Sequence, residues 1–277
     1  MTSLLRLVGV CLVALALLCV PHAPLRAQGA RQYAVTVMPP GGPAPRLPDG
    51  HPDLSGHWLP NSAGQGVGGR DGVDPAARRQ FDPKATPEEE PAFQPWAAAK
   101  IKAMTPVELE LSKSSVNCMP RGLPAIWLQN PYSTVIVQTP TMMAQLYEVL
   151  NNWRLVYTDG RPVPKDPEPW VHGTSTTHWE KETLVVNSFG FDERTYVMPT
   201  GWFHSDAMKV TERYTRPSKN YLIVEITVDD PKVLMHPWKS APRRWTLGNG
   251  EVYEFYCTNN RELDELGKLK EQESYAK

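Results

Sequence analysis

Apolar and polar residues alternate with a period of two along most of the chain after Ser133. Such alternation is typical of strands that have one face in a core and the other in water. Short turn-forming sequences separate these segments, so we predict about eight or nine antiparallel strands and few helices. The pattern favours a mainly β fold, an up-and-down β-barrel or strongly curved sheet of the lipocalin or calycin-like kind. Hairpins are predicted at Glu180-Lys181-Glu182, Pro217-Ser218-Lys219 and Gly248-Asn249-Gly250.

The N-terminal half of the chain lacks this alternation and is rich in proline. Of the 28 prolines, 21 lie between Pro39 and Pro169, and proline interrupts both helices and sheet ladders. We therefore expect mostly loops there. One short helix is predicted over residues 95–104, and a second begins where Thr105 and Glu108 can form a capping box.

The first 27 residues have the layout of a secretory signal peptide. Arg6 precedes the apolar run Leu7–Val20, and small residues surround Ala27, where cleavage is expected. This run is about 14 residues long, whereas a membrane-spanning helix needs about 20. We predict a periplasmic or secreted protein whose mature chain has no transmembrane segment. The predicted regions are the signal peptide (1–27), an extended proline-rich arm (28–52), a loop-rich segment with short helices (53–116), a β-barrel domain (117–260) and a charged C-terminal tail (261–277).

The cysteines fit an oxidising compartment. Cleavage would remove Cys11 and Cys19 and leave Cys118 and Cys257. Two cysteines of an exported chain most simply form one disulfide. This bond would close a loop of about 140 residues, worth about 4–5 kcal/mol in the chain-entropy model. A free nucleophilic thiol is the alternative.

The charges of the chain are nearly balanced. Lys and Arg total 29 and Asp and Glu total 30, which gives a formal net charge of −1. The chain has no block of basic residues, so neither a nucleic acid nor an anionic membrane surface is an expected partner. We expect a small molecule instead, either a sugar or an aromatic compound. The sequence leaves the oligomeric state open.

The last part of the sheet carries a carboxylate on its apolar face. Counting by twos along residues 204–214 places Glu212 on the same face as Met208 and Val210. A buried carboxylate is a candidate general acid or base. The alternative is a structural ion pair across the barrel, with Arg154 or Arg244 as the partner. The complete face predicted to point inward is His204, Asp206, Met208, Val210, Glu212 and Tyr214.

Histidines and tryptophans occur close together in the sequence. Trp170 and His172 are two residues apart, as are Trp202 and His204, so each pair would share one face of an extended segment. Aromatic faces with polar tips suit stacking on a sugar or an aromatic ring, although packing at the rim of a barrel explains them too. No HExxH or CxxC spacing occurs. We predict no cofactor, and a divalent metal, if one binds, would use His172, His178, His204 and His236.

Several sequence blocks occur together in a fixed order over about residues 46–260. The blocks are PDLSGHW, CMPRGLP, IVQTP, HWEKETLVVNSFGF, HSDAMKVTERY and DDPK. In this order they resemble a large family of exported bacterial proteins of about this size. Where that family usually has WxGDTLVV, this chain has Glu180-Lys181-Glu182-Thr183. The resemblance implies export and a shared fold, and it implies no particular reaction.

Our first functional hypothesis is an exported β-barrel enzyme that uses general acid/base chemistry. A lyase, isomerase or glycan-cleaving reaction on a carbohydrate or an aromatic small molecule fits these residue types. The second hypothesis is a lipocalin-like carrier that binds an apolar or aromatic ligand without changing it. The catalytic candidates are His204, Glu212, Asp206 and Asp192, and the candidates for ligand contact are Trp170, His172, His178, Trp202, Tyr214 and Arg154.

Overall fold

A computed structural model describes residues 39–60, 89–114, 116, 118–128, 132–249, 251–254 and 261–275. The predicted signal peptide, residues 28–38 of the proline-rich arm, residues 61–88 of the loop-rich segment and Cys257 lie outside these residues. The signal peptide and the Cys118–Cys257 disulfide therefore stay predictions.

Within the described residues, four helices lie outside the sheet. They are α1 (Pro95–Ala103), α2 (Pro106–Leu111), α3 (Ala125–Leu128) and α4 (Arg261–Tyr275). The predicted capping box is confirmed at the start of α2, because Thr105 Oγ1 accepts from the Glu108 N–H and Glu108 Oε2 accepts from the Thr105 N–H. None of the helices in the described ranges is both long and apolar enough to cross a membrane.

The strands carry most of the fold. Their bounds are β1 (Gly56–Pro60), β2 (Thr134–Thr139), β3 (Met142–Tyr147), β4 (Asn152–Tyr157), β5 (Thr174–Glu180), β6 (Thr183–Phe189), β7 (Tyr196–Met198), β8 (Trp202–Phe203), β9 (Lys209–Ser218), β10 (Tyr221–Asp229), β11 (Trp238–Lys239) and β12 (Arg243–Leu247). β7 and β8 form a separate two-stranded ribbon, and β11 pairs with β10 beside the main sheet. A 3₁₀ turn, Val149–Asn151, connects β3 to β4.

Nine strands of the described chain form one antiparallel sheet that is nearly closed into a barrel. Their order in space is β4-β3-β2-β1-β12-β10-β9-β6-β5, which follows the order of the chain around the barrel. All eight neighbouring pairs in this order are antiparallel, so the first strand, β4, and the last strand, β5, run in the same direction. The antiparallel hydrogen-bond pattern therefore cannot continue between β4 and β5, which form the seam of the barrel. Side chains connect the two strands there, since Thr177 Oγ1 donates to the Tyr157 carbonyl at 3.0 Å. The prediction of an up-and-down barrel or curved sheet is confirmed.

Alternation of burial along the strands creates the interior of the barrel. In β9, Val210, Glu212 and Tyr214 are buried between less buried neighbours. In β4, Asn152, Arg154 and Val156 are buried and the residues between them are exposed. The period of two therefore places polar and apolar side chains together inside the barrel.

The hairpins at Lys181 and Lys219 form as predicted, between β5 and β6 and between β9 and β10. The hairpin predicted after β12 was wrong, because residues 251–254 form no strand. β1 occupies that edge of β12 instead and pairs Trp58 with Leu247. The predicted C-terminal tail also contains a helix, α4, whose Leu266 packs on Val107 of α2.

Candidate functional site in the barrel interior

An ion pair crosses the interior of the barrel. Arg154 Nη1 of β4 donates to both carboxylate oxygens of Glu212 on β9, at 3.0 Å and 2.7 Å. The side chains are 3% and 0% exposed, respectively. The ion pair that the sequence analysis gave as the alternative for Glu212 is present, with Arg154 rather than Arg244 as the partner.

Two serine hydroxyls complete the surroundings of the guanidinium. Arg154 Nη2 donates to Ser175 Oγ of β5 and to Ser188 Oγ of β6, each at 2.8 Å. Burial by itself would lower the pKa of Arg154, but the charge of Glu212 raises the pKa above its ordinary value. Arg154 is therefore permanently charged. Its hydrogen bonds connect β4 to β5 and β6 across the seam and to β9 across the barrel.

Two tyrosines and a glutamine extend this network. Tyr147 donates to Gln145 Oε1 at 2.6 Å, Gln145 Nε2 donates to the Tyr214 hydroxyl at 3.0 Å, and Tyr214 donates to Glu212 Oε1. Burial and then the charge of Glu212 raise the pKa of Tyr214 well above its ordinary value. Burial likewise raises the pKa of Tyr147. Both phenols remain protonated and keep donating at neutral pH.

The short helix α3 inserts Trp127 among these aromatic side chains. Its ring lies edge-on to Tyr147, Tyr214 and Trp245, with centroid distances of 5.7, 5.6 and 5.1 Å. Trp127, Tyr214 and Trp245 have no exposed surface, and Tyr147 is 1% exposed. We call the set Trp127, Tyr147, Tyr214, Trp245, His172, Gln145, Arg154 and Glu212 the interior cluster.

Within this cluster, the centroid of the His172 ring lies 6.0 Å from that of Tyr147. Its Nε2 lies 3.0 Å from Asn152 Oδ1, while the amide nitrogen of Asn152 donates to the Arg121 carbonyl. With the amide so oriented, Asn152 Oδ1 is an acceptor, so His172 Nε2 carries the proton and Nδ1 carries a lone pair. Burial, and then the charge of Arg154, lower the pKa of His172 to about 3. The imidazole is therefore neutral at physiological pH.

Four polar atoms of the interior cluster are buried without a hydrogen-bond partner in the described part of the chain. Two other buried indoles differ, since Trp58 Nε1 donates to the Leu54 carbonyl and Trp238 Nε1 to the Glu89 carbonyl. Buried polar groups are nearly always paired, so several unpaired atoms in one cluster need an explanation. The four atoms are Trp127 Nε1, Trp245 Nε1, Arg154 Nε and His172 Nδ1.

His204 lies in a different environment from Glu212. Its Nε2 is 2.9 Å from Thr195 Oγ1 and its Nδ1 is 3.1 Å from the Ser205 carbonyl. Burial lowers the pKa of His204. His204 and Glu212 therefore have different hydrogen-bond partners, and their catalytic roles stay predictions.

The two other acidic candidates each pair with a basic side chain. The prediction that Asp206 points inward was wrong, because the chain turns before β9 and Asp206 is 66% exposed beside Lys232. Asp192 pairs with Arg194, which lowers the pKa of the carboxyl group. Its backbone carbonyl accepts from Thr195 Oγ1, so Asp192 organises a turn.

The remaining candidates are spread over the molecule. His172 is buried but His178 is half exposed, because the backbone at Gly173, with φ of 63°, interrupts the expected alternation. Trp202 is buried, and its ring packs edge-on against the rings of Phe93 and Trp238. Trp170 is 62% exposed.

The histidines proposed for a metal are not brought together in the described structure. Among the described residues, no group of three or more His, Cys, Asp or Glu side chains is arranged to hold a metal ion. His236 is exposed, and its Nδ1 lies 3.2 Å from the carbonyl oxygen of the neighbouring Pro237. The cofactor prediction stays a prediction.

Sequence reasoning missed Trp127, Trp245, Gln145, Tyr147 and Asn152. The period of two could have placed Gln145 and Tyr147 on the inner face of β3, since both are buried there. No periodic signal marks Trp127, because it lies in a four-residue helix.

No family model, no curated protein and no solved structure matches this chain. The family resemblance of the sequence blocks therefore stays a prediction, and the functional argument depends on the site itself.

Proposed function

We propose that this chain is an exported β-barrel protein that binds a small molecule at the interior cluster. The observation that carries the proposal is the group of four unpaired polar atoms around the buried rings of Trp127 and Trp245. A buried polar group without a partner costs about 1–3 kcal/mol. A ligand that forms hydrogen bonds with these atoms would recover this free energy, and such binding would explain why the atoms have no partner within the described part of the protein.

The surroundings favour binding over proton transfer. Glu212 already accepts from Arg154 and Tyr214, so both of its oxygens are engaged within the protein. The pKa of Tyr214 is raised by burial and that of His172 is lowered to about 3, so neither group exchanges a proton near neutral pH. General acid/base catalysis works best with groups that titrate near the working pH.

The interior cluster suits a binding site in its composition as well. Ligand sites are mostly apolar and aromatic, with a few placed polar groups that fix orientation. Here Trp127 and Trp245 provide the aromatic surface, and the ion pair and the hydroxyl network fix the polar side chains in one arrangement. The acid/base enzyme of the sequence analysis remains the second hypothesis, and product formation separates the two.

The proposal is tested with mature protein purified from a periplasm. Native mass spectrometry should detect a retained organic molecule, and reversed-phase chromatography of the denatured sample should release it unchanged. Trp127→Phe removes one unpaired donor and part of the ring and should reduce the bound fraction. Trp153→Phe is the matched control, because Trp153 is 62% exposed on the outer face of β4.

Loss of ligand from Trp153→Phe as much as from Trp127→Phe would refute the interior site. Conversion of the released molecule into a product by the purified protein would favour the enzyme hypothesis. A protein that neither retains a molecule nor binds any added sugar or aromatic compound would refute the binding function.

A further inference from the structure

The hydrogen-bonding groups left open in the interior cluster describe the ligand that would pair with them. Three of the four are donors, namely the indole N–H groups of Trp127 and Trp245 and the Nε–H of Arg154. The fourth is an acceptor, Nδ1 of His172, because Nε2 carries the proton toward Asn152. A complementary ligand has acceptor oxygens and at least one hydroxyl or ring N–H.

The charges of the cluster argue for an uncharged ligand. Arg154 and Glu212 neutralise each other at 2.7 Å, and the other cluster members are neutral. A ligand carboxylate would add a buried charge near that of Glu212 and would compete for a guanidinium that is already paired. Desolvating such a charge costs several kcal/mol unless it is paired.

The unpaired hydrogen-bonding groups of the interior cluster favour an aromatic ligand over a sugar. A hexose has about five hydroxyls, and each of them needs a partner when it is buried. Of the four open groups in the described cluster only His172 Nδ1 is an acceptor, so a sugar inside it would leave most of its hydroxyl protons unpaired. A planar ring with one carbonyl and one donor requires fewer partners and fits rings that pack edge to face.

We infer that the ligand of the interior cluster is an uncharged aromatic compound with a carbonyl group and a hydroxyl or ring N–H, the donor pairing with His172 Nδ1 and the carbonyl with an indole N–H. This inference rests on the proposed binding function and narrows its ligand class. It assigns His172 as a specificity-determining residue.

The test compares four probes by calorimetry and by quenching of tryptophan fluorescence. The probes are para-hydroxyacetophenone, para-methoxyacetophenone, para-hydroxybenzoate and methyl β-glucoside. The hydroxy ketone should bind about tenfold more tightly than the methoxy ketone, because methylation removes the donor that pairs with His172. The benzoate and the glucoside should bind more weakly than the hydroxy ketone.

His172→Phe should abolish the preference for the hydroxy ketone over the methoxy ketone. His236→Phe is the matched control and should keep it, because His236 is exposed. The comparison of probes on the wild-type protein decides the inference even if His172→Phe fails to fold.

Three outcomes would overturn the inference. Equal binding of the two ketones to the wild type would remove the role of His172, and tighter binding of the glucoside or the benzoate would refute the ligand class. Both of these outcomes would leave the binding function standing. Binding of none of the four probes would overturn the inference, whereas failure of the proposed function also requires that no retained molecule is found.

Discussion

His172 offers a direct test of the interior environment through acid stability. The ordinary pKa of histidine is about 6.5, and burial followed by the charge of Arg154 lowers the pKa of His172 to about 3. Between these values the unfolded chain binds a proton that the folded chain does not bind. The free energy of unfolding therefore rises with pH across this window and falls on acidification.

The magnitude follows from this difference in proton binding. Lowering the pH from 7.5 to 5.0 takes the solution about one and a half pH units below the ordinary pKa of histidine. Each unit costs about 1.4 kcal/mol, so His172 should account for about 2 kcal/mol of lost stability at pH 5.0. This loss is a large share of the typical free energy of unfolding of a protein, about 5–15 kcal/mol.

The assay is urea unfolding of the wild type and of His172→Gln at both pH values. Glutamine stays uncharged, so the variant should lose about 2 kcal/mol less than the wild type on acidification. The control His178→Gln changes a half-exposed histidine and should lose as much as the wild type. Equal acid losses in the wild type and His172→Gln would refute the conclusion that His172 is buried and neutral.

Two further predictions concern the stability of the interior. Glu212→Gln leaves Arg154 buried without a full counter-charge and should lower the free energy of unfolding by about 3–5 kcal/mol. The control Glu180→Gln changes an exposed ion pair, so this variant should unfold at nearly the same urea concentration as the wild type. An equal midpoint for both variants would contradict the burial of this pair. Trp127→Ala removes a fully buried ring and should cost about 3–5 kcal/mol in the same urea assay. A loss below about 1 kcal/mol would mean that Trp127 does not pack in the core.

The strands were predictable because their pattern is local. A period of two along β9 is sufficient to place Glu212 and Tyr214 on the buried face, and turn residues are sufficient to predict the hairpin at Lys181. The same reasoning limited the partner of Glu212 to two arginines. It could not choose between them, because the choice depends on which strands meet across the barrel.

The parts of the site that sequence reasoning missed arise where the period is interrupted. The positive φ of Gly173 turns His172 into the interior while His178 stays at the surface. A turn before β9 moves Asp206 out of the face that it would share with Glu212 in one continuous strand. Such interruptions depend on contacts between distant segments, as when Asp230 accepts from the backbone and hydroxyl of Ser205.

The sequence by itself determined the β class of this protein, two of its hairpins and the burial of Glu212, because hydrophobic alternation and turn chemistry act over a few residues. Only the tertiary structure decided that Arg154 pairs with Glu212, that α3 brings Trp127 against Trp245, and that His172 joins them. These contacts join residues far apart in the chain. Their geometry depends on how the barrel closes, and barrel closure cannot be predicted from a local sequence pattern.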